Sequence, residues 1–215
     1  MSPSSWTRLP QSCCPCKSVK TYTVAPVCGA PDWDAIDVID VSEVLWLPDC
    51  GIRMQQQLCY DAQYLYVHQR AWETNIRAEL TGNLQQVSED SCMEFFFSPL
   101  GDGRYFNVEI NPNGCMRLGY HGTDMTLLLT PKDMADFAIT PQRTEDGWQL
   151  EYRIPFSFIR IFFPDFRAES GAEMRANFYK CGDKTATPHY LAWNPIDSPA
   201  PAFHRPQDFG RLIFG

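Results

Sequence analysis

No stretch of this 215-residue chain reaches the roughly 18 consecutive apolar residues of a membrane-spanning helix, so none is expected. Its 18 lysines and arginines are scattered among 26 acids, giving a net charge of −8, and no basic cluster offers a footing for nucleic acid. Glycine-rich phosphate loops (G-x-x-x-x-G-K-[ST] or G-x-G-x-x-G) are missing, as are H-E-x-x-H and G-x-S-x-G. Histidine is scarce: His68, His121, His189 and His204 lie far apart, without ligand spacing. No helix-periodic segment exceeds about three turns. Residues 1–30 contain no apolar core of a secretory signal, so the expected compartment is the cytoplasm, or the exterior should the true start lie upstream.

Cysteine is plentiful, at positions 13, 14, 16, 28, 50, 59, 92, 115 and 181. The odd count and the expected reducing compartment argue for free thiols rather than a disulfide framework. Cys59 and Cys92 fall in or beside strand-like runs, where cysteine acts as a small hydrophobe. Cys13, Cys14 and Cys16 suit a soft metal, yet no second Cys/His pair follows at zinc-finger spacing. They are read as part of a Ser/Pro/Cys-rich arm over residues 1–21, with one domain over 22–215.

What the chain does contain is strand-like runs whose two faces differ in chemistry. In residues 65–72 the odd positions Leu65, Val67 and Ala71 are apolar, Gln69 excepted, and the even ones are Tyr66, His68, Arg70 and Trp72. In 105–111 Phe106, Val108 and Ile110 alternate with Tyr105, Asn107, Glu109 and Asn111. Residues 175–179 repeat the pattern with Arg175, Asn177 and Tyr179. Side chains alternate across a strand, so each run predicts a core face and an open face. Amides, arginines, a carboxylate and aromatic rings on the open faces suit hydroxyl hydrogen bonding and stacking on a sugar ring.

Further strands are expected near 22–24, 93–97, 115–120, 137–140, 148–154, 190–193 and 209–214, with turns at Gly101-Asp102-Gly103, Pro112-Asn113-Gly114 and Glu145-Asp146-Gly147. Residues 73–89 and the proline-rich 194–207 read as loops, and 156–163 as a short helix or buried corner. The expected class is all-β: a two-sheet antiparallel sandwich with jelly-roll or immunoglobulin-like layers and at most short helices. Glu94 and Glu109 on neighbouring strands are also the carboxylate pair that a small glycan-active hydrolase needs. A protein-interaction sandwich without a small ligand is a further alternative.

Six stretches, in order, resemble the family 9 carbohydrate-binding modules, a DOMON-like β-sandwich family. They are residues 90–99 (DSCMEFFFSP), 105–114 (YFNVEINPNG), 147–156 (GWQLEYRIPF), 175–180 (RANFYK), 193–195 (WNP) and 203–210 (FHRPQDFG). The resemblance spans about residues 30–215. It implies non-catalytic binding of a mono- or oligosaccharide, frequently with structural calcium, and a glycoside hydrolase partner encoded elsewhere. By position it matches Trp72 and Trp193 to the two tryptophans that clamp a sugar in that family, leaving Trp33, Trp46 and Trp148 to the core. The accompanying polar set is His68, Arg70, Glu94, Asn107, Glu109, Asn111, Arg175, Asn177 and Lys180; Lys180 has the apolar parity of its strand and rests on the family pattern. Asp61, Asp90 and Asp102 lie near turns, but no contiguous acidic loop assigns a metal. Because related sandwiches hold haem, Met93 or Met54 with His68 or His189 is a competing ligand set.

Overall fold

A computed structural model describes residues 18–131 and 134–215; Cys13, Cys14 and Cys16 lie outside the described residues. The strands are β1 (Thr21–Pro26), β2 (Ile39–Val41), β3 (Glu43–Val44), β4 (Arg53–Tyr60), β5 (Tyr64–Trp72), β6 (Cys92–Ser98) and β7 (Tyr105–Ile110). They continue with β8 (Met116–His121), β9 (Thr126–Leu128), β10 (Thr140–Thr144), β11 (Gly147–Pro155), β12 (Glu173–Cys181), β13 (Tyr190–Ala192) and β14 (Gly210–Phe214). The α-helix α1 (Phe156–Phe162) follows β11 directly.

The main path runs β10-β11-β5-β4-β1-β14-β12-β6-β7-β8-β9 and curls into two facing layers joined through β1. One layer holds β14, β12, β6, β7, β8 and β9; the other holds β4, β5, β11 and β10. The sheet is mixed, not purely antiparallel as expected. Thr21–Val24 of β1 run parallel to Arg211–Phe214, and Ala25 and Pro26 run parallel to Cys59 and Tyr60. A hairpin forces antiparallel pairing, but β1 and β14 are separated by the whole domain, so no tight turn sets their direction. The strand expected over 137–140 starts only at Thr140: Met134–Phe137 form a 3-10 turn, and Ala138 at φ +46° breaks the extended path.

The core lies between the layers. Phe95, Phe97, Phe106, Val108 and Phe178 from one side meet Leu58, Val67, Trp148 and Leu150 from the other. The alternation of β5 is as expected: Leu65, Val67, Gln69 and Ala71 are buried, and Tyr66, His68, Arg70 and Trp72 are half-buried. In β6, β7 and β12 the pattern changes, because both faces are buried. The segment after β13 folds back over the polar face: Phe203 stacks on Tyr179 with centroids 4.1 Å apart, and Phe209 meets Tyr105 edge-on. That cover forms a second apolar cluster of Phe96, Tyr105, Tyr179, Ile196 and Phe209. A face read as open is therefore partly roofed.

Of the three tryptophans expected in the core, only Trp148 is there. Trp33 stacks on His68 at the surface, and Trp46 lies beside a cavity. The described cysteines are unpaired: Cys28 and Cys50 exposed, Cys59, Cys92, Cys115 and Cys181 buried.

Candidate functional site

The roofed face of β6, β7 and β12 encloses a cavity of about 290 Å³. Glu94 and Glu109 form one wall, placed directly opposite each other by the β6–β7 register. Trp46, Phe96, Tyr190 and Phe203 supply the aromatic side, and Gln86, Ser88, Asp183, Cys181 and His204 complete the polar lining. The segment after β3 delivers Trp46 with φ +57°, a left-handed conformation that a bulky residue rarely adopts. Its indole N–H donates to Ser198 O at 2.8 Å, and its ring lies 5.5 Å from Phe203 and 5.4 Å from Tyr190.

Behind the acid wall runs a chain of polar contacts. Asn107 Nδ2 donates to Glu109 Oε1 at 2.7 Å, and Asn107 Oδ1 accepts from His121 Nε2 at 2.8 Å. His121 lies flat on Tyr105 at 4.4 Å, and the Tyr105 hydroxyl is hydrogen-bonded to His204 Nδ1 at 3.0 Å. Among the described residues, Glu109 Oε2 has no partner. Cys181 donates its S–H to Glu94 Oε1 at 2.9 Å. Burial raises the Glu109 carboxyl well above the usual range, against the Asn107 hydrogen bond and Arg117. Burial, then Cys181 and Glu109, raise Glu94. Burial, followed by His204, lowers His121 to about 4.

The expected site residues separate into three groups. Glu94, Asn107 and Glu109 come together at the cavity. His68, Arg70 and Trp72 sit on the outer face of β5, in the other layer. There His68 bonds Gln57 and stacks on Trp33, Arg70 pairs with Asp146, and the guanidiniums of Arg53 and Arg70 lie 4.8 and 4.7 Å from the Trp72 ring centre. The third group is spent on structure. Asn111 holds the 111–115 turn and bonds Asp90, Asn177 pins Asn194, and Arg175 donates to the carbonyls of Phe209 and Gly210. Lys180 points to the core side, into a buried pair with Glu73.

The clamp drawn between Trp72 and Trp193 is not formed. Trp193 is 5% exposed and packs in the core against Phe178 and Gly210. A ring so enclosed has no face to offer a sugar, and Trp72 lies on the outside of the opposite layer. The haem set fails as well: Met93 and Met54 are core residues, His68 is on an outer face, and His189 spends both nitrogens on Lys180 and Thr187 O. Calcium does not fit the turn acids. Asp61 accepts from Gln63, Tyr64 and Tyr66, Asp90 from Arg77, Glu79, Leu80 and Asn111, and Asp102 from Arg104. Residues absent from the expected site are Trp46, Tyr105, His121, Asp183, Tyr190, Phe203 and His204. The Phe203-His204 pair inside a proline-rich loop was the one local signal for them.

A profile described as carbohydrate-binding family 9 matches residues 29–214. The chain belongs to carbohydrate-binding family 9. Among solved structures, this family 9 chain resembles a candidate carbohydrate-binding protein from Bacteroides uniformis ATCC 8492, with a TM-score of 0.79, 29% identity, 92% of this chain covered and 100% of that one. It shares its fold with a family 9 module from Caldicellulosiruptor kristjanssonii solved in complex with glucose, with a TM-score of 0.66, 13% identity and coverage of 91% and 96%. The same holds for the cellotriose complex, at 0.66, 12%, 91% and 93%. Among curated proteins, none matches the chain.

Proposed function

We propose that this protein binds carbohydrate non-covalently in the cavity between Glu94/Glu109 and Trp46. One observation carries the reading: an aromatic wall of Trp46, Tyr190 and Phe203 faces a wall of buried carboxyls that includes a hydrogen-bond acceptor without a partner. A pyranose has apolar C–H faces and a rim of hydroxyls, so it matches both walls at once. Membership of a carbohydrate-binding family, and relatives solved with glucose and cellotriose, support glucose-based saccharides as the first ligands to test. Affinity is expected in the micromolar to millimolar range, roughly −8 to −4 kcal/mol, because hydroxyl hydrogen bonds exchange against water. A glycoside hydrolase acting on the same glycan is the proposed working partner.

The test is calorimetric titration with glucose, cellotriose and a panel of other mono- and oligosaccharides. Saturable binding that is lost on Trp46→Ala and weakened on Glu109→Gln supports the reading. Binding unchanged in both variants removes the sugar from this cavity.

A second reading concerns the larger cleft of about 430 Å³ that Trp72 lines with Asp40, Asp49, Arg53 and Gln55. Trp72 presents an indole beside carboxylates and amides there, as a sugar subsite would. Loss of binding in Trp72→Ala but not in Trp46→Ala would move the site to it.

A further inference from the structure

The floor of the cavity carries chemistry that sugar binding does not need. Cys92 and Glu94 are two apart on β6 and share a face, and the β6–β12 register sets Cys181 directly opposite Cys92. The two sulfurs and a Glu94 oxygen all lie within 4.8 Å of one another, and all three residues are buried. We infer that Cys92, Glu94 and Cys181 form a binding site for a soft divalent cation of the zinc type, open to the cavity at its fourth position.

Zinc takes thiolate sulfur at about 2.3 Å and carboxylate oxygen at about 2.1 Å, so tetrahedral ligand atoms lie roughly 3.5 Å apart. The observed spacing therefore needs only small side-chain rotations to close on an ion. Two sulfurs select zinc over calcium, which takes oxygen ligands. A three-ligand set that leaves one position to the surroundings is the pattern of reactive rather than closed zinc sites. An entry path exists, because Glu94 and Cys181 line the cavity.

A second observation points to the same place. Glu109, directly opposite Glu94, is 5% exposed and keeps Oε2 without a partner. A buried acceptor without a donor is costly, and a cation-bound water at the open position would satisfy it. On binding, the two S–H protons, with any proton on the Glu94 carboxyl, leave to solvent; the two thiolates neutralise the dication and the Glu94 carboxylate leaves the site with one net negative charge. The inference shares the Glu109 oxygen with the sugar reading, but its readout is the metal itself, so either can fail without the other.

The test uses the full chain with Cys13, Cys14, Cys16, Cys28 and Cys50 replaced by serine, kept reduced, stripped with a chelator and titrated with cobalt and then zinc. The expected result is a thiolate-to-cobalt charge-transfer band that saturates at one ion per chain and is displaced by zinc. Cys92→Ser and Cys181→Ser should abolish the band, and Glu94→Gln should weaken cobalt binding by about 10- to 100-fold or more. A band that survives Cys92→Ser with Cys181→Ser overturns the site, as does a folded protein without a band. A mass spectrum showing Cys92 joined to Cys181 under reductant overturns it as well. Should the serine variants not fold, zinc must raise the unfolding temperature of the five-serine chain by more than that of its Glu94→Gln form; equal shifts overturn the site.

Discussion

Lys180 Nζ lies 3.0 Å from the Glu73 carboxylate, and neither side chain is more than 2% exposed. Glu73 also accepts from Ser91 and the Trp148 indole, while Lys180 donates to His189 and the Cys181 carbonyl. This network fastens β12 to the end of β5 through groups that water cannot reach. Replacing one partner strands a buried charge, so Lys180→Met should destabilise the fold by about 3–5 kcal/mol. Adding Glu73→Leu should recover most of that loss, because a buried pair exchanged for apolar residues is often neutral. Urea unfolding of the three proteins checks both expectations.

Gly119 faces Asn107 across the β7–β8 ladder. A Cβ there would sit 2.1 Å from Asn107 Oδ1, so Gly119→Ala must push the amide away. Asn107 would then lose its hold on Glu109 and His121. Sugar affinity should fall about tenfold, or roughly 1.4 kcal/mol, with the fold retained in circular dichroism; titration calorimetry reads the difference.

His121 should titrate far below an ordinary histidine. Burial and the neighbouring His204 ring, 4.7 Å away, lower it to about 4 from 6.5. Tyr105, Thr126 and Asn107 are its other contacts, and none brings a negative charge directly against it. Between about pH 6.5 and 4 the unfolded chain binds a proton at this ring that the folded chain does not. The contribution of His121 to stability is thus complete above 6.5 and is lost as pH falls toward 4. Proton NMR of the imidazole gives the midpoint directly. His204→Gln should move it upward without restoring 6.5, since burial remains.

Trp46→Ala and Trp72→Ala separate the two candidate sugar surfaces. Fluorescence titration with cellotriose should keep its saturable response in Trp72→Ala and lose it in Trp46→Ala. Reducing-sugar assays should detect no release from cello-oligosaccharides by the unmodified protein, and a release abolished by Glu109→Gln would make the carboxyl pair catalytic.

The layer architecture was legible because it is written locally. Alternation in 65–72, 105–111 and 148–154 depends only on which neighbours are apolar; the apolar members of all three face the main core as expected, although in 105–110 the other face is buried too. The site was half legible for the same reason. Glu94, Asn107 and Glu109 share the polar face of β6 and β7, whereas the residues roofing that face come from about 100 positions later in the chain, as in the Tyr105–His204 contact, 99 positions apart. Burial of Trp193 depends on Gly210, whose missing side chain leaves room for the ring: a Cβ there would lie 2.5 Å from it. No local pattern signals that vacancy. Asn111, Arg175 and Asn177 have the residue types of a hydroxyl-binding set, yet backbone groups met in turns and loops claim their hydrogen bonds first. Polar residues on a strand face do not announce whether their partner is a ligand or a carbonyl.

The last strand, Gly210–Phe214, lies in the middle of the sheet, between Thr21–Val24 and Glu173–Ala176. Until that strand emerges during synthesis, β1 and β12 lack the strip that lies between them. The first strand must wait, one edge unpaired, for a neighbour made nearly two hundred residues later. Folding of this domain thus waits on the emergence of Gly210–Phe214, and a nascent chain stalled before that strand emerges would expose two sheet edges to its neighbours on the same message.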